Sequence, residues 1–183
     1  MVQLVEWEPP KENQVALNVD GCFFTSTGQA GFGGLIRDHT GKWIKGFRGH
    51  IDVVDSYIET ELMGIMEGLK FAWELKYRDV SCRSDSKQAI SLIKDPTYRI
   101  PEYANITDAI NELISRDWAV SLDHTYREGN QCADLMAKMG AKNLDDEIYL
   151  QPPAYISSLL LSDAKGTQYE RPAYISSLCL SDV

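Results

Sequence analysis

Apolar and polar positions alternate in three short stretches near the start of the chain, and each stretch predicts a β-strand. The first runs from Val15 to about Phe24, and the others cover residues 30–37 and 42–51. Aliphatic and β-branched residues dominate them and glycine-containing turns separate them, which is typical of an antiparallel meander. The pair Asp20-Gly21 is also a common two-residue hairpin signal, so a turn at this point is the alternative.

Apolar residues then recur every three or four positions between about residues 56 and 77, which predicts an amphipathic helix. Further strands are predicted at residues 79–84 and 118–126, and further helices at residues 86–94, 103–116 and 130–142. Three strands followed by an alternation of strands and helices predict an α/β fold, with a mixed sheet and helices on its faces. Glycines in the second strand, at positions 31, 33 and 34, indicate either close packing or a ligand surface.

The composition is that of an ordinary globular protein, with 44% hydrophobic and 25% charged residues among 183. No apolar run approaches the ~20 residues that cross a bilayer, and the first residues lack the form of a signal peptide. We therefore expect an intracellular protein, nuclear or cytoplasmic, with no membrane partner. Its four cysteines lack metal-site spacing and are expected to be reduced thiols.

The net charge of −9 argues against nucleic-acid binding, because phosphate contacts need lysine and arginine. The acidic excess is either spread over the surface or partly a carboxylate cluster that divalent metal neutralises. Composition alone leaves both possibilities open.

Four acidic residues stand at positions where carboxylates can converge. Asp20 and Asp85 end predicted strands, and ligands bind at the carboxyl ends of parallel strands. Glu61 lies at the border of the buried stripe of the first helix, and Asp134 lies in the first turn of the last helix. Each also has an ordinary explanation. These explanations are a turn for Asp20, a side chain that reaches water for Glu61, a helix cap for Asp85 and a favourable helix dipole for Asp134.

The order and spacing of several motifs resemble those of the plant reverse-transcriptase-like ribonuclease H domains, which are related to non-LTR retroelement sequences. The motifs are Leu-Asn-Val-Asp-Gly at 17–21, Gly-Phe-Gly-Gly-Leu-Ile-Arg-Asp at 31–38, Glu-Leu at 61–62, Ser-Asp-Ser at 84–86, and Arg-Glu-Gly-Asn-Gln-Cys-Ala-Asp at 127–134. Together they span roughly residues 15–142. The resemblance implies a ribonuclease H-like α/β fold, a five-stranded mixed sheet whose first three strands are antiparallel, with helices on both faces.

The resemblance further implies that Asp20, Glu61, Asp85 and Asp134 are catalytic and hold two Mg²⁺ or Mn²⁺ ions, which prefer oxygen ligands. The implied activity is metal-dependent endonucleolytic cleavage of the RNA strand of RNA–DNA hybrids by two-metal in-line hydrolysis. His124 has the spacing of the catalytic histidine of cellular ribonucleases H, but it falls on a predicted strand, where a structural role is the alternative. The alternative function is a catalytically weak or inactive module that keeps the fold for binding nucleic acid or protein.

Substrate contacts are expected from Asn18, Gly21, Lys87 and Asn130, with Asn130 also the expected cap of the last helix. Contacts to 2′-hydroxyl groups would select the RNA strand. Lys87, just after Asp85, is the candidate for a phosphate contact, and a solvated helix lysine is its alternative. No basic, tryptophan-rich segment lies between residues 86 and 118, so hybrid binding is expected to be weak and dependent on salt.

Three regions are expected: a lead-in at residues 1–14, the ribonuclease H-like domain at 15–142, and a tail at 143–183. The tail contains a repeat, because residues 153–163 recur as residues 172–182 with Cys179 in place of Leu160. Each copy predicts a short helix that begins with proline. We expect the two copies to compete for one groove, which leaves the other copy available for self-association with a neighbouring chain.

Overall fold

The computed structural model describes residues 2–172, which form a six-stranded mixed sheet, a separate two-stranded sheet and five α-helices. The strands are β1 (Gln3–Val5), β2 (Val15–Phe24), β3 (Gln29–Arg37), β4 (Trp43–Ile51), β5 (Asp79–Ser84), β6 (Ala119–His124), β7 (Glu147–Tyr149) and β8 (Tyr169–Arg171). The helices are α1 (Tyr57–Glu74), α2 (Lys87–Lys94), α3 (Ala104–Ile114), α4 (Gln131–Lys142) and α5 (Ser157–Ala164). The predicted α/β class with helices on both faces is confirmed.

The predicted strand number of five is wrong, because the main sheet has six strands in the order β6-β5-β2-β3-β4-β7. Strands β2, β3 and β4 are antiparallel as expected, and β5 and β6 join β2 in parallel. The sixth strand, β7, pairs antiparallel with residues 46–48 of β4. It has three residues, which is too short for an alternating pattern to be recognised in the sequence.

Strand β2 runs through Asp20 and Gly21 without a turn. Asp20 pairs with Gly33 and Gly21 pairs with Phe32 in the antiparallel ladder, which continues to Phe24. The hairpin alternative for this pair is therefore excluded. The strand is central, with β3 on one side and β5 on the other, so Asp20 lies in the middle of the main sheet.

Two hydrophobic layers hold the helices to the sheet. The larger layer lies between the sheet and α1, with α2 and α3 packed alongside, and it includes Leu17, Val19 and Leu69. The smaller layer lies on the opposite face under α4, where Leu35 and Met136 are enclosed. Because side chains alternate along a strand, Asn18 and Asp20 point away from the α1 layer that takes Leu17 and Val19.

The lead-in and the tail pack against the domain that lies between them. Strand β1 pairs with β8, joining residues 3–5 to residues 169–171. Trp7 is buried, although the sequence pattern predicted no regular structure before residue 14. The first copy of the repeat forms a short turn and α5, with Ile156 fully buried. Residues 173–183, which carry nearly all of the second copy, lie outside the described residues, so competition between the copies stays a prediction.

Within residues 2–172, no helix is long and apolar enough to cross a membrane. Cys22, Cys82 and Cys132 are buried. Burial raises the pKa of the Cys82 and Cys132 thiols to about 12, so both remain protonated at neutral pH.

Candidate metal centre

Three predicted site residues from three separate elements converge beside the central strand. Carboxylate oxygens of Asp20, Glu61 and Asp85 all lie within 4.8 Å of one another. Asp20 belongs to β2, Glu61 to the first half of α1, and Asp85 follows the last residue of β5. Asn18 pairs with Arg83 in the parallel ladder, and Asp20 and Asp85 follow two residues later in the same direction. This pairing explains why Asp20 and Asp85 lie close together.

Close contact between α1 and β2 brings Glu61 to Asp20. A Cβ atom on Gly21 would lie 2.2 Å from the carbonyl carbon of Thr60, and one on Gly64 would lie 2.6 Å from the carbonyl oxygen of Asp20. Only glycine at these two positions allows the helix and strand backbones to approach this closely. The backbone N–H of Gly21 donates to Asp20 Oδ1 at 3.0 Å and to Glu61 Oε2 at 3.3 Å.

Asp85 is not the cap of α2, contrary to its ordinary explanation from the sequence. Ser86 holds the cap position, and its hydroxyl accepts a hydrogen bond from Ala89 N at 3.2 Å. The Asp85 carboxylate is therefore not engaged in capping, and it lies beside Asp20 and Glu61 instead.

Asp134 lies in the first turn of α4 and is not one of the three acids whose carboxylate oxygens lie within 4.8 Å of one another. The helix lies close to the sheet at Gly31 and Gly33, where added Cβ atoms would lie 2.2 and 2.5 Å from the backbone nitrogens of Ala141 and Ala137. These glycines therefore serve packing, and α4 covers the surface that was the alternative ligand site. The charge of Asp134 acts on both Asp20 and Glu61.

Burial and mutual repulsion make the acids resist ionisation. Removal from water raises the pKa of Asp20 well above its usual range, and the charges of Asp85, Glu61 and Asp134 raise it further. Burial and the charge of Asp85 likewise raise the pKa of Glu61. Burial raises the pKa of Asp85 as well, although the Arg127 guanidinium partly offsets it. Full ionisation of these acids would therefore leave negative charge that nearby protein groups do not compensate.

Two cations beside the cluster were not assigned a role from the sequence. Arg127 lies 4.0 Å from Asp85 and 3.9 Å from Asp134, and Lys138 Nζ lies 3.0 Å from Asp134 Oδ2. The four-residue spacing of Asp134 and Lys138 on one helix was a sequence signal for this second pair. The sequence contains no comparable signal for Arg127, because its proximity to Asp85 and Asp134 depends on the short turn at residues 127–129 before α4.

The remaining predicted site residues fall into two groups. The first group, His124 and Lys87, lies at the edge of the site. His124 ends β6, stacks edge-on against Tyr126 at 5.2 Å, and donates to the backbone of Asp85. Burial and the nearby charge of Lys87 lower the pKa of His124. Lys87 itself is exposed at the start of α2. His124 thus lies at a strand end, as the sequence predicts, and its catalytic role stays a prediction.

The second group, Asn18 and Asn130, is enclosed. Asn18 is 0% exposed and Asn130 is 1% exposed. Asn18 Nδ2 donates to Asn130 Oδ1 at 2.9 Å, and Asn130 Nδ2 donates to the carbonyl oxygen of Val19 at 3.0 Å. Asn130 stands at the start of α4 but makes no side-chain capping bond. Direct substrate contact would require both residues to leave these bonds, so their predicted substrate contacts stay a prediction.

The cluster has the donor set that a divalent cation needs. Its groups are carboxylates, which are the preferred ligands of Mg²⁺ and Mn²⁺. Their separation of at most 4.8 Å allows Asp20, Glu61 and Asp85 to share one cation. A bound cation would also compensate the charge that raises the pKa values of the acids. The residues present therefore fit a divalent metal centre.

Comparison with known proteins gives one family and one fold. A family model described as reverse transcriptase-like matches residues 18–140. A protein of Arabidopsis thaliana with a provisional ribonuclease H name is 31% identical over 170 residues. The match covers 92% of this chain but 27% of that protein, so the chain spans about a quarter of the length of this curated relative.

Solved ribonucleases share the fold. Ribonuclease H1 of the archaeon Halobacterium salinarum is 19% identical with a TM-score of 0.65, covering 70% of this chain and 98% of its own. A ribonuclease H1 called LC11, solved in complex with an RNA/DNA hybrid, is 19% identical with a TM-score of 0.63, covering 70% of this chain and 96% of its own. At these identities the likeness establishes the arrangement of helices and strands.

Proposed function

The chain belongs to the reverse transcriptase-like family and is a plant-type ribonuclease H-like domain, and on this premise we propose that it is a metal-dependent endonuclease. Its substrate is the RNA strand of an RNA–DNA hybrid. One observation carries the proposal: three carboxylates from elements far apart in the sequence lie within 4.8 Å of one another, and a fourth, Asp134, acts on them electrostatically. Neither a turn nor a helix cap requires this convergence.

Asp20, Glu61, Asp85 and Asp134 would hold two Mg²⁺ or Mn²⁺ ions. When bound, the ions activate a water molecule and stabilise the leaving oxygen during in-line displacement at phosphorus. The residues of the chain position the acids for this purpose. Asp20 lies at the centre of the cluster, and the Gly21 N–H orients the Asp20 and Glu61 carboxylates together. The His124 side chain donates a hydrogen bond to the backbone of Asp85 and so helps to hold that residue in place.

Cations around the acids are suited to the phosphates of the hybrid. Lys87 is exposed directly after Asp85 and Ser86, and Arg127 is partly exposed between Asp85 and Asp134. The overall charge of −9 disfavours long-range attraction of nucleic acid, so these local cations have to supply the phosphate contacts. Hybrid binding is therefore expected to be weak and to fall steeply with salt.

The second candidate is a catalytically weak or inactive module that binds nucleic acid or protein. It is favoured by the position of Lys138, whose ammonium lies 3.0 Å from Asp134 and competes with cations for that carboxylate. The enzyme remains the better-supported function, because an ammonium on a flexible, partly exposed side chain can be displaced.

Cleavage of a labelled RNA–DNA hybrid tests the proposal. The full chain is incubated with hybrid and with Mg²⁺ or Mn²⁺, beside the Asp20→Asn variant. We expect the wild-type chain to produce RNA fragments with 3′-hydroxyl ends and Asp20→Asn to produce almost none. Asp123→Asn, which changes an exposed acid on β6, is the matched control and should cleave like the wild type.

Two outcomes contradict the enzyme. Equal cleavage by the wild type and Asp20→Asn would mean that a contaminant does the chemistry. Hybrid binding without cleavage in either metal would favour the inactive module instead. A DNA duplex of the same sequence shows whether the 2′-hydroxyl is required, because it lacks that group.

A further inference from the structure

A buried ion pair attaches the tail to the main sheet on the α4 face. Asp163, near the end of α5, accepts a hydrogen bond from Arg37 Nη1 at 2.6 Å, and the side chains are 4% and 1% exposed. The Arg37 guanidinium also stacks on the Trp7 ring at 4.0 Å. The same segment packs Ile156 into the smaller hydrophobic layer. Residues 154–163 are therefore a docked part of the domain.

Hydrogen bonds continue from this ion pair towards the metal centre. The second arm of the guanidinium, Arg37 Nη2, donates to Asn18 Oδ1 at 2.9 Å, and Trp7 Nε1 donates to the same oxygen at 3.0 Å. Asn18 Nδ2 then donates to Asn130 Oδ1. Because Asn18 accepts with one end and donates with the other, the charged pair fixes the orientation of its amide.

The chain of bonds ends at both sides of the acidic cluster. Asn130 Nδ2 binds the carbonyl of Val19, which directly precedes Asp20 in β2. The carbonyl of Asn130 accepts from the backbone N–H of Asp134 at 3.1 Å, in the first turn of α4. Asn130 thus connects the strand that carries Asp20 to the helix that carries Asp134.

We propose that residues 154–163 are a latch that positions the metal-binding acids. Asp163, Arg37, Asn18 and Asn130 are positioning residues: they set the distance between Asp20 and Asp134 without touching the ions or the substrate. The inference rests on the proposed function only in taking the acids as ligands of divalent metal. Residues 173–182 repeat the latch sequence except at Cys179, and an aspartate at position 182 corresponds to Asp163.

The main test removes the latch charge in the full chain. Asp163→Asn is combined with Asp182→Asn, so that the repeated segment cannot supply the missing carboxylate. We expect the affinity for Mn²⁺, measured by titration calorimetry, to fall about tenfold, as when the groups that orient metal ligands are lost. Without metal, the NMR resonance of the Gly21 amide should shift, because this N–H binds two of the carboxylates.

A second variant separates positioning from stability. Arg37→Met with Asp163→Leu and Asp182→Leu replaces the buried ion pair by apolar side chains, which often preserves stability. It lacks the donor to Asn18, so its Mn²⁺ affinity and Gly21 resonance should change as in the first variant. Leu113→Ala is the control: it leaves a cavity under α3, which packs against α1 and α2 and carries none of the acids, and it should lower the melting temperature without changing either readout.

The outcomes are distinct for the two proposals. Wild-type Mn²⁺ affinity and an unmoved Gly21 resonance in the apolar variant would overturn the latch. A wild-type chain that binds Mn²⁺, responds to these substitutions and cleaves no hybrid would overturn the proposed function and support the latch. If the wild type binds no Mn²⁺, the proposed function fails and the latch fails with it, because the latch takes the acids as ligands of divalent metal.

Discussion

Replacing Gly21 by alanine tests how Glu61 is brought to Asp20. The added Cβ would lie 2.2 Å from the carbonyl carbon of Thr60 and 2.5 Å from the nitrogen of Glu61. Both atoms belong to the helix backbone, so no side chain can rotate away. Ordinary van der Waals contact begins near 3.4 Å, so α1 has to move by more than about 1 Å.

The shift has two measurable consequences. Overpacking of this kind costs about 1–3 kcal/mol of folding free energy, and each kcal/mol lowers the melting temperature of a chain this size by about 2–4 °C. The same shift moves Glu61 away from Asp20, and a misplacement of ~1 Å costs catalysis about 100-fold. Gly21→Ala should therefore lose far more activity than its lost stability explains.

Gly68→Ala is the matched control, on the same helix two turns after Glu61. Its Cβ would lie 2.5 Å from Cγ1 of the buried Val19, so this variant also overpacks the core, but the clash is with a side chain and not with the backbone beside Glu61. Thermal unfolding, Mn²⁺ calorimetry and hybrid cleavage are measured on both variants at a temperature where both are folded. Wild-type Mn²⁺ affinity and cleavage in Gly21→Ala would refute the positioning role of this contact.

Three further predictions concern charge and the tail. Because the folded-state pKa values of Asp20, Glu61 and Asp85 are raised, the metal-free folded protein binds more protons than the unfolded chain above pH ~4. This proton binding stabilises the wild-type fold at low pH, and the stabilisation is lost as pH rises. Asp20→Asn lacks one of the titrating groups, so its melting temperature relative to that of the wild type should increase between pH 5 and 8. A constant difference would contradict this. Lys138→Met should raise Mn²⁺ affinity several-fold in calorimetry, because a competing cation at Asp134 is removed; Lys142→Met, one turn further, should not. Deleting residues 172–183 keeps the β1–β8 pairing and should leave the melting temperature unchanged, whereas a large drop would show that the second copy of the repeat stabilises the fold.

The sequence predicts the main elements well because the stretches that show a hydrophobic period are long. The stretch of ten residues in β2 and that of eighteen in α1 both show their period several times over. Strands β1, β7 and β8 have three residues each, and they form only because a distant partner strand is available. The sixth strand of the main sheet and the docked lead-in therefore depend on tertiary contacts that local pattern does not contain.

The acidic site is predictable for a different reason. Asp20, Glu61 and Asp85 each occupy a position where a carboxylate is unfavourable, in a buried strand, at a helix–sheet contact or after a buried strand. Local rules explain each of them singly, and the structure excludes the turn for Asp20 and the cap for Asp85. Their distances could not be read from the sequence, because they depend on backbone contacts at Gly21, Gly64 and the helices on both faces.

The enclosed polar network shows what remains hidden from local reasoning. Asn18 and Asn130 stand in the motifs that carry the chemistry, and by type they are good substrate contacts. In the structure their amide groups instead form hydrogen bonds with Arg37, with each other and with the backbone beside Asp20. A buried amide has to satisfy its donors and acceptors within the protein, and here its partners lie on strands and helices distant in sequence. The polar residues nearest the acids are therefore engaged within the protein, and on the proposed function the phosphate contacts would come from the exposed cations around the site.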